Sequence, residues 1–356
     1  MRNNLRTYQT CGFASAKEGL NMKTISPEKI KKILCIKPRG IGDVVGATIM
    51  LPNLRRHFPD AELHFLLEDF AEEIVSGNPH ISKVLTYNRK DGLLSIVRKV
   101  RREKYDMVLD TYCNPRTALV TLFSGAKYRV GFPYNWRKIG YNIYANHGAP
   151  YAHFAKHNFH ILEAIGCPHP ESRIQCFAGE EFATEAKTFF EANFSGSKPV
   201  IGILPTGGWS SKTCEPEKWA EIIHGLRDAF GAEFIIFRGP AEVESAQKIF
   251  DGASDCSRLA PMGRLKSVMA YMKLCRAIVA TDSGMMHVSA ALGLPTVGLF
   301  GQSSPENFAP YNEQSSSVTN DQLDCLDCGH RECPRGHECM LELPVSSIAN
   351  RLRGIV

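Results

Sequence analysis

Ile33-Leu-Cys-Ile-Lys37-Pro-Arg-Gly-Ile-Gly-Asp-Val-Val-Gly46 is the stretch that decides the fold. It starts with a short apolar run. Gly40 and Gly42 then permit a tight turn, and residues 44–57 carry helical apolar spacing. Strand, turn and helix in that order open a parallel α/β unit. Working outward, residues 62–67, 106–110 and 128–131 read as further strands. Residues 92–104 read as a helix, with Leu93, Leu94, Val97 and Val100 on one face and Arg98, Lys99, Arg101 and Arg102 on the other. The alternation restarts near residue 199. Residues 199–204, 233–237, 277–280 and 296–300 are expected strands, and 217–230 and 285–292 expected helices. Pro168, Pro170, Gly179 and Gly196 punctuate a charged stretch between the two series. The expected fold class is α/β, with two doubly wound Rossmann-like domains facing a central cleft. Residues 1–31 form an N-terminal extension expected to be disordered, 32–180 the first domain and 181–356 the second. Met22 precedes the first regular pattern, so residues 1–21 read as a dispensable extension.

A chain of 356 residues suits two domains of ~150 residues each. Its 44% hydrophobic and 22% charged residues exclude a disordered, collagen-like or coiled-coil chain. No apolar run approaches the ~18 residues of a membrane span. Arg2, Arg6, Lys17 and Lys23, without an apolar core, do not read as a secretory signal. The net charge of +5 hides an asymmetry. Residues 1–180 carry 26 Lys+Arg against 16 Asp+Glu, and residues 181–356 carry 16 against 21. A basic first half suits an anionic partner, such as a phosphorylated glycolipid, a membrane surface or nucleic acid, or is simply a solvated face.

Three loops carry chemistry. In the first, Asp43 argues against a dinucleotide fingerprint, because a carboxylate there repels a pyrophosphate. It suits either the cleft floor, as a proton acceptor, or a helix cap. In the second, Thr206-Gly-Gly-Trp-Ser-Ser-Lys212 exposes backbone N–H groups and adds a mobile cation, a combination suited to a diphosphate. In the third, a buried strand ends at Asp282-Ser283-Gly284 and a helix begins at once. The N–H groups of Gly284 and Met285, with the Ser283 hydroxyl, make an anion site, and His287 lies in the first helical turn. Each of these residues also has an ordinary structural use.

Taken together, Gly-Ile-Gly-Asp-Val, the Lys212 loop, and Asp-Ser-Gly-Met-Met-His followed by Ala-Ala-Leu-Gly-Leu-Pro-Thr-Val-Gly-Leu-Phe-Gly resemble the ADP-heptose:lipopolysaccharide heptosyltransferase family, glycosyltransferase family 9. Asn53-Leu-Arg-Arg-His-Phe-Pro-Asp-Ala-Glu-Leu63 and Gly77-Asn-Pro-His-Ile81 resemble its N-terminal pattern. The resemblance spans roughly residues 32–312. It implies the GT-B fold, an acceptor domain followed by a donor domain, and heptose transfer from ADP-heptose to an anionic lipopolysaccharide inner-core acceptor. It further implies a cytoplasmic location with peripheral contact at the inner membrane, and no nucleic-acid partner. By motif, Asp43 resembles the catalytic base and Lys212 the diphosphate-holding lysine. Thr206, Gly207, Asp282, Ser283, Gly284 and His287 resemble the donor site. Met262 and Gly263 are placed by position at the adenine wall, and Arg39 and Gly42 on the acceptor side. The Thr-Gly-Gly-Trp-Ser-Ser-Lys loop departs from the family's commoner charged loop, which leaves the donor less determined than the reaction.

The implied chemistry needs no cofactor. Asp43 deprotonates an acceptor hydroxyl, and the sugar–diphosphate bond breaks with inversion. No Asp-x-Asp pair stands in these loops. Separately, Cys325-x2-Cys328-x4-Cys333-x5-Cys339 has structural metal-site spacing, for zinc or iron, with disulfides or free thiols as alternatives. His153, His157 and His160 have ligand spacing on an expected helix, but their apolar neighbours favour packing. Other readings stay open. One is a relative using another acceptor, a protein or surface glycan, or another nucleotide sugar. Another is an NAD-dependent Rossmann enzyme, with Glu68 and Asp69 closing the second strand. A third is a binding module organised by the cysteines.

Overall fold

The computed structural model describes residues 25–146 and 152–356. The first sheet comprises β1 (Lys32–Ile36), β2 (Glu62–Glu68), β3 (Lys83–Tyr87), β4 (Met107–Asp110), β5 (Tyr128–Gly131) and β6 (Ile143–Tyr144). The second comprises β7 (Val200–Leu204), β8 (Glu233–Ile236), β9 (Ser257–Leu259), β10 (Ala277–Thr281), β11 (Thr296–Leu299) and β12 (Ser316–Val318). The strand orders are β3-β2-β1-β4-β5-β6 and β12-β11-β10-β7-β8-β9, the same doubly wound order twice. Every pairing is parallel. Buried on both faces, β1, β4, β7 and β10 are near-continuous apolar runs, as central parallel strands must be.

The sequence leaves β3, β6, β9 and β12 unread, and these are the four outermost strands of the two sheets. They are short or half-exposed and lack an apolar run. The first helix also begins earlier than its apolar spacing suggests. It is Ile41–Ala47, followed by a 3-10 turn Thr48–Met50 and a second helix Leu51–His57. Gly42 and Asp43 are therefore helical residues, and Gly40, at φ 84°, is the N-cap. Of the expected extension, residues 1–24 lie outside the described residues. Ile25 and Ile30 are buried in the core of the first sheet, so residues 25–31 are folded.

That core also takes in Met269, Val288, Ala290 and Ala291 from the second half of the chain. The two sheets thus share packing at the base of the cleft. A polar clasp reinforces it. Arg264 Nε meets Glu73 Oε1 at 2.5 Å, and the Lys266 backbone N–H donates to Glu73 Oε2 at 2.9 Å. The buried Lys266 ammonium donates to the carbonyls of Ser76 (2.6 Å) and Phe177 (2.7 Å). Among the described residues, no helix is long and apolar enough to cross a membrane.

Candidate active site

Each sheet reverses its strand order once, between β1 and β4 and between β7 and β10. Ligands of open parallel sheets bind outside the carboxyl ends of the strands at such a switch point. Residues 37–43 follow β1, 205–212 follow β7 and 282–287 follow β10. The three loops singled out by residue type therefore emerge where the topology places a site.

On the first sheet, Asp43 lies in the first turn of its helix, where the helix dipole favours a carboxylate. No side-chain bond caps that helix. The Asp43 side chain is 51% exposed, and its Oδ1 is 3.1 Å from the Lys37 ammonium, which is itself 12% exposed. Lys37 also lies 5.4 Å from the centre of the Tyr112 ring. A Cβ on Gly40 would stand 2.5 Å from Asp43 Oδ2, so both the left-handed backbone and the close carboxylate require glycine there. Arg39 sits beside Glu68 at the end of β2, at 4.0 Å.

On the second sheet, the Lys212 ammonium is ion-paired with Asp282 Oδ2, and Ser303 Oγ donates to the same oxygen at 2.5 Å. A Cβ on Gly207 would lie 2.5 Å from Lys212 Cβ and 3.4 Å from the Asp282 carbonyl, so the glycine lets the two loops meet. The Phe308 ring lies under Lys212 at 5.9 Å. Ser283 is the N-cap of the helix Gly284–Ala291, its oxygen accepting from Met286 N–H at 3.3 Å. The Ser283 O–H proton is still available to an anion, as are the first N–H groups of the helix.

His287 joins the two sides. A Cβ on Gly42 would lie 2.8 Å from His287 Cδ2, and the Phe154 ring is 4.6 Å away. Burial pushes the imidazole down to about 4, against the opposing pull of Asp282, so it is neutral at pH 7. Among the described residues nothing hydrogen-bonds its Nδ1.

Sequence reasoning missed Ser303, Phe154, Phe308 and the pairing role of Lys37. Lys37 stands in the quoted motif, but no local signal pointed to the other three. Met262 and Gly263 lie past β9, at the outer edge of the second sheet, where Gly263 packs on Ser267. The three histidines do not share one helix. His153 Nε2 bonds the Ala309 carbonyl at 2.9 Å, His157 stacks on Phe132, and His160 meets Glu163 at 3.0 Å.

The four cysteines are close enough to act on one another. The Cys339 thiol is pushed up to about 11, first by burial and then by Cys333, Cys325 and Cys328. Cys333 Sγ accepts N–H bonds from Arg335 (3.4 Å) and His337 (3.3 Å). The sulfurs do not, however, form the tight cage that the spacing suggests. Among the described residues the one trio of metal-capable side chains within 4.8 Å of one another is His224, Asp255 and Cys256, whose Asp255 already pairs with Arg227. Thiols do not attract one another, so only a ligated cation draws four sulfurs to tetrahedral spacing.

Two doubly wound Rossmann-like sheets, with a carboxylate at the strand end of one and a lysine-backed helix N-terminus at the strand end of the other, have the layout of a GT-B glycosyltransferase. The comparisons agree. The family model for glycosyltransferase family 9 (heptosyltransferase) matches residues 93–338. The chain is 23% identical to lipopolysaccharide heptosyltransferase 2 of Escherichia coli over 91% of its own length and 98% of the relative's. The solved ADP-heptose lps heptosyltransferase II of E. coli superposes with a TM-score of 0.75 at 20% identity, over 91% of this chain and 98% of that one. The iron-containing dodecameric glycosyltransferase TibC, from enterotoxigenic E. coli, shares the fold at a TM-score of 0.55 and 13% identity, over 92% and 76%. The protein belongs to glycosyltransferase family 9 and is a glycosyltransferase.

Proposed function

We propose that the protein transfers heptose from ADP-heptose to an inner-core hydroxyl of lipopolysaccharide, with inversion at the anomeric carbon. The observation that carries this reading is the continuity of the site. The helix of Asp43 touches the helix of Gly284 and His287, and Asp282, just before Gly284, holds Lys212. The names of the E. coli relatives supply the donor and acceptor class.

In this mechanism Asp43 takes the proton of the acceptor hydroxyl as the oxygen attacks the anomeric carbon. The bond to the diphosphate breaks as the new glycosidic bond forms. Lys212, the Ser283 hydroxyl and the N–H groups of Gly284 and Met285 receive the charge of the departing ADP. Thr206 and Gly207 line the diphosphate, and Arg39 with Gly42 borders the acceptor. Met262 and Gly263 are assigned to the adenine wall. His287, neutral and buried, presents an uncharged donor or acceptor to the sugar. The transfer step uses no metal or cofactor.

The same reading has residues 32–180 binding the acceptor and 181–356 the donor, with the protein working at the cytoplasmic face of the inner membrane. The basic first half supports contact with anionic glycolipid and headgroups. It also gives Cys325, Cys328, Cys333 and Cys339 a structural zinc or iron. Support comes from the cysteine spacing, the two N–H bonds to Cys333 and the iron named for TibC. Metal analysis of the purified protein tests this, and zinc and iron both well below ~1 equivalent would remove it.

The reading is tested by incubating the protein with ADP-heptose and heptose-deficient lipopolysaccharide. The expected result is ADP release and a mass gain of one heptosyl unit. Thermal stabilisation by UDP-, GDP- or CMP-sugars, with none by ADP-heptose, overturns the donor assignment.

A further inference from the structure

The cysteine-rich loop is bonded to both segments that build the donor group. On one side stands the 3-10 turn Ser210–Lys212. The buried Ser211 donates its hydroxyl to the His330 carbonyl at 2.6 Å and its N–H to the Arg331 carbonyl at 3.3 Å. Ser210 Oγ donates to the Arg331 carbonyl at 3.2 Å, and the Arg331 guanidinium lies 4.1 Å above the Trp209 ring. On the other side stand Gly301, Gln302 and Ser303. Asp327 N–H donates to the Gly301 carbonyl at 2.9 Å, and Gly329 N–H to the Gln302 carbonyl at 2.8 Å. Cys339 Sγ occupies the space a Cβ on Gly301 would take. The two sides converge on one atom, Asp282 Oδ2, which receives both the Lys212 ammonium and the Ser303 hydroxyl.

The bonded residues 327–331 are interleaved with the cysteines. Cys325 precedes this stretch, Cys328 lies within it, and Cys333 and Cys339 follow it. Asp327 and Gly329 both have positive φ, 57° and 67°, so the chain reverses tightly as it meets the Gly301 segment. A loop of this kind holds its shape only if its ends are held, because a free segment regains backbone entropy at every residue. Cys328 is exposed and Cys325 and Cys333 are half-buried, so the sulfurs are within reach of a metal ion or a thiol reagent.

We propose that residues 327–331 are a clamp that positions Lys212 and Asp282 for the donor diphosphate. Ser211 is its positioning residue, and the state of the four cysteines sets how firmly it holds. The clamp rests on the donor-site reading given above. Holding the loop in place through its sulfurs, of which Cys339 Sγ packs against Gly301, pre-organises the Lys212 turn and tightens nucleotide binding. Releasing them loosens both the Lys212 turn and the Ser303 segment, because each contact to the loop is a single hydrogen bond.

Hydrogen exchange of the ligand-free protein, with an ADP titration in parallel, tests the clamp on three proteins: wild type, Ser211→Ala and the double variant Cys328→Ser/Cys333→Ser. The expected result is exchange of the 207–213 and 300–304 amides at least ~10-fold faster in both variants, with exchange across residues 93–103 unchanged. The Kd for ADP and the KM for the donor should rise ~5-fold or more while the KM for the acceptor stays put. Ser211→Thr, which keeps the hydroxyl, should recover most of the loss. Unchanged exchange and ADP affinity in Ser211→Ala overturn the clamp. A response in Ser211→Ala but none in the cysteine variant overturns the control by cysteine. Coupled exchange in a wild-type chain that binds no ADP would sink the donor reading and leave the clamp standing.

Discussion

Gly42 and Gly284 meet across the cleft: a Cβ on Gly42 would lie 3.6 Å from Gly284 Cα, and one on Gly284 would lie 3.1 Å from the Gly42 nitrogen. Both are the second or first residue of a helix, one from each sheet. The motif glycines thus serve close approach of two helices. Gly284→Ala places its methyl 2.7 Å from Ile41 Cβ as well as against the Gly42 nitrogen, and should cost ~1–3 kcal/mol of stability. An unchanged midpoint in urea denaturation would show that the contact is not tight in solution.

Asp43→Asn removes the base while keeping shape and hydrogen-bonding capacity. Transfer should fall ~10²–10⁴-fold, with ADP affinity and thermal midpoint unchanged. Near-normal turnover in a well-folded variant would rule Asp43 out as the base.

Lys212→Ala should lower kcat/KM for the donor by ~10²–10³-fold. Asp282→Asn should weaken the same parameter by releasing Lys212, although Ser303 can still donate to the amide oxygen. Steady-state kinetics with each substrate varied in turn would separate a donor effect from a general one. Loss in the acceptor KM alone would contradict this placement.

His287 supplies a pH dependence. Its folded-state value is pushed down to about 4, below the ordinary histidine value of ~6.5. Between these values the unfolded chain binds the proton and the folded chain does not. Stability therefore rises with pH through that window and is lost as pH falls from ~6.5 to ~4, by up to ~3 kcal/mol. His287→Gln should flatten the acid limb of denaturation midpoint against pH. An identical limb in the variant would mean that other groups carry the effect.

Lys266→Met keeps the aliphatic stem but leaves the Ser76 and Phe177 carbonyls without their donor. About 1–3 kcal/mol should be lost for each carbonyl that stays dry. Because Glu73 and Arg264 still bridge the two halves, the domains should stay associated. Denaturation together with small-angle scattering would check both points, and a stable variant with an opened envelope would contradict the division of labour.

The amino-acid sequence by itself determined the class of fold and the three loops. Apolar runs bury a central parallel strand on both faces, so β1, β2, β4, β5, β7, β8, β10 and β11 could be read directly. The four edge strands could not, because an edge is defined by what lies beside it. The sequence also held Asp43, Lys212 and Asp282 as residue types suited to a base, a cation and a strand-end carboxylate. Only the tertiary structure decided which of these meet. Lys212 and Asp282 are 70 residues apart, Ser303 another 21 beyond, and their convergence follows from the strand order that brings β7 beside β10. The hold of the cysteine loop on Ser211 spans 119 residues and has no local signal at all. Hydrogen-bond partners so distant in the chain are chosen by packing, which no window of sequence contains.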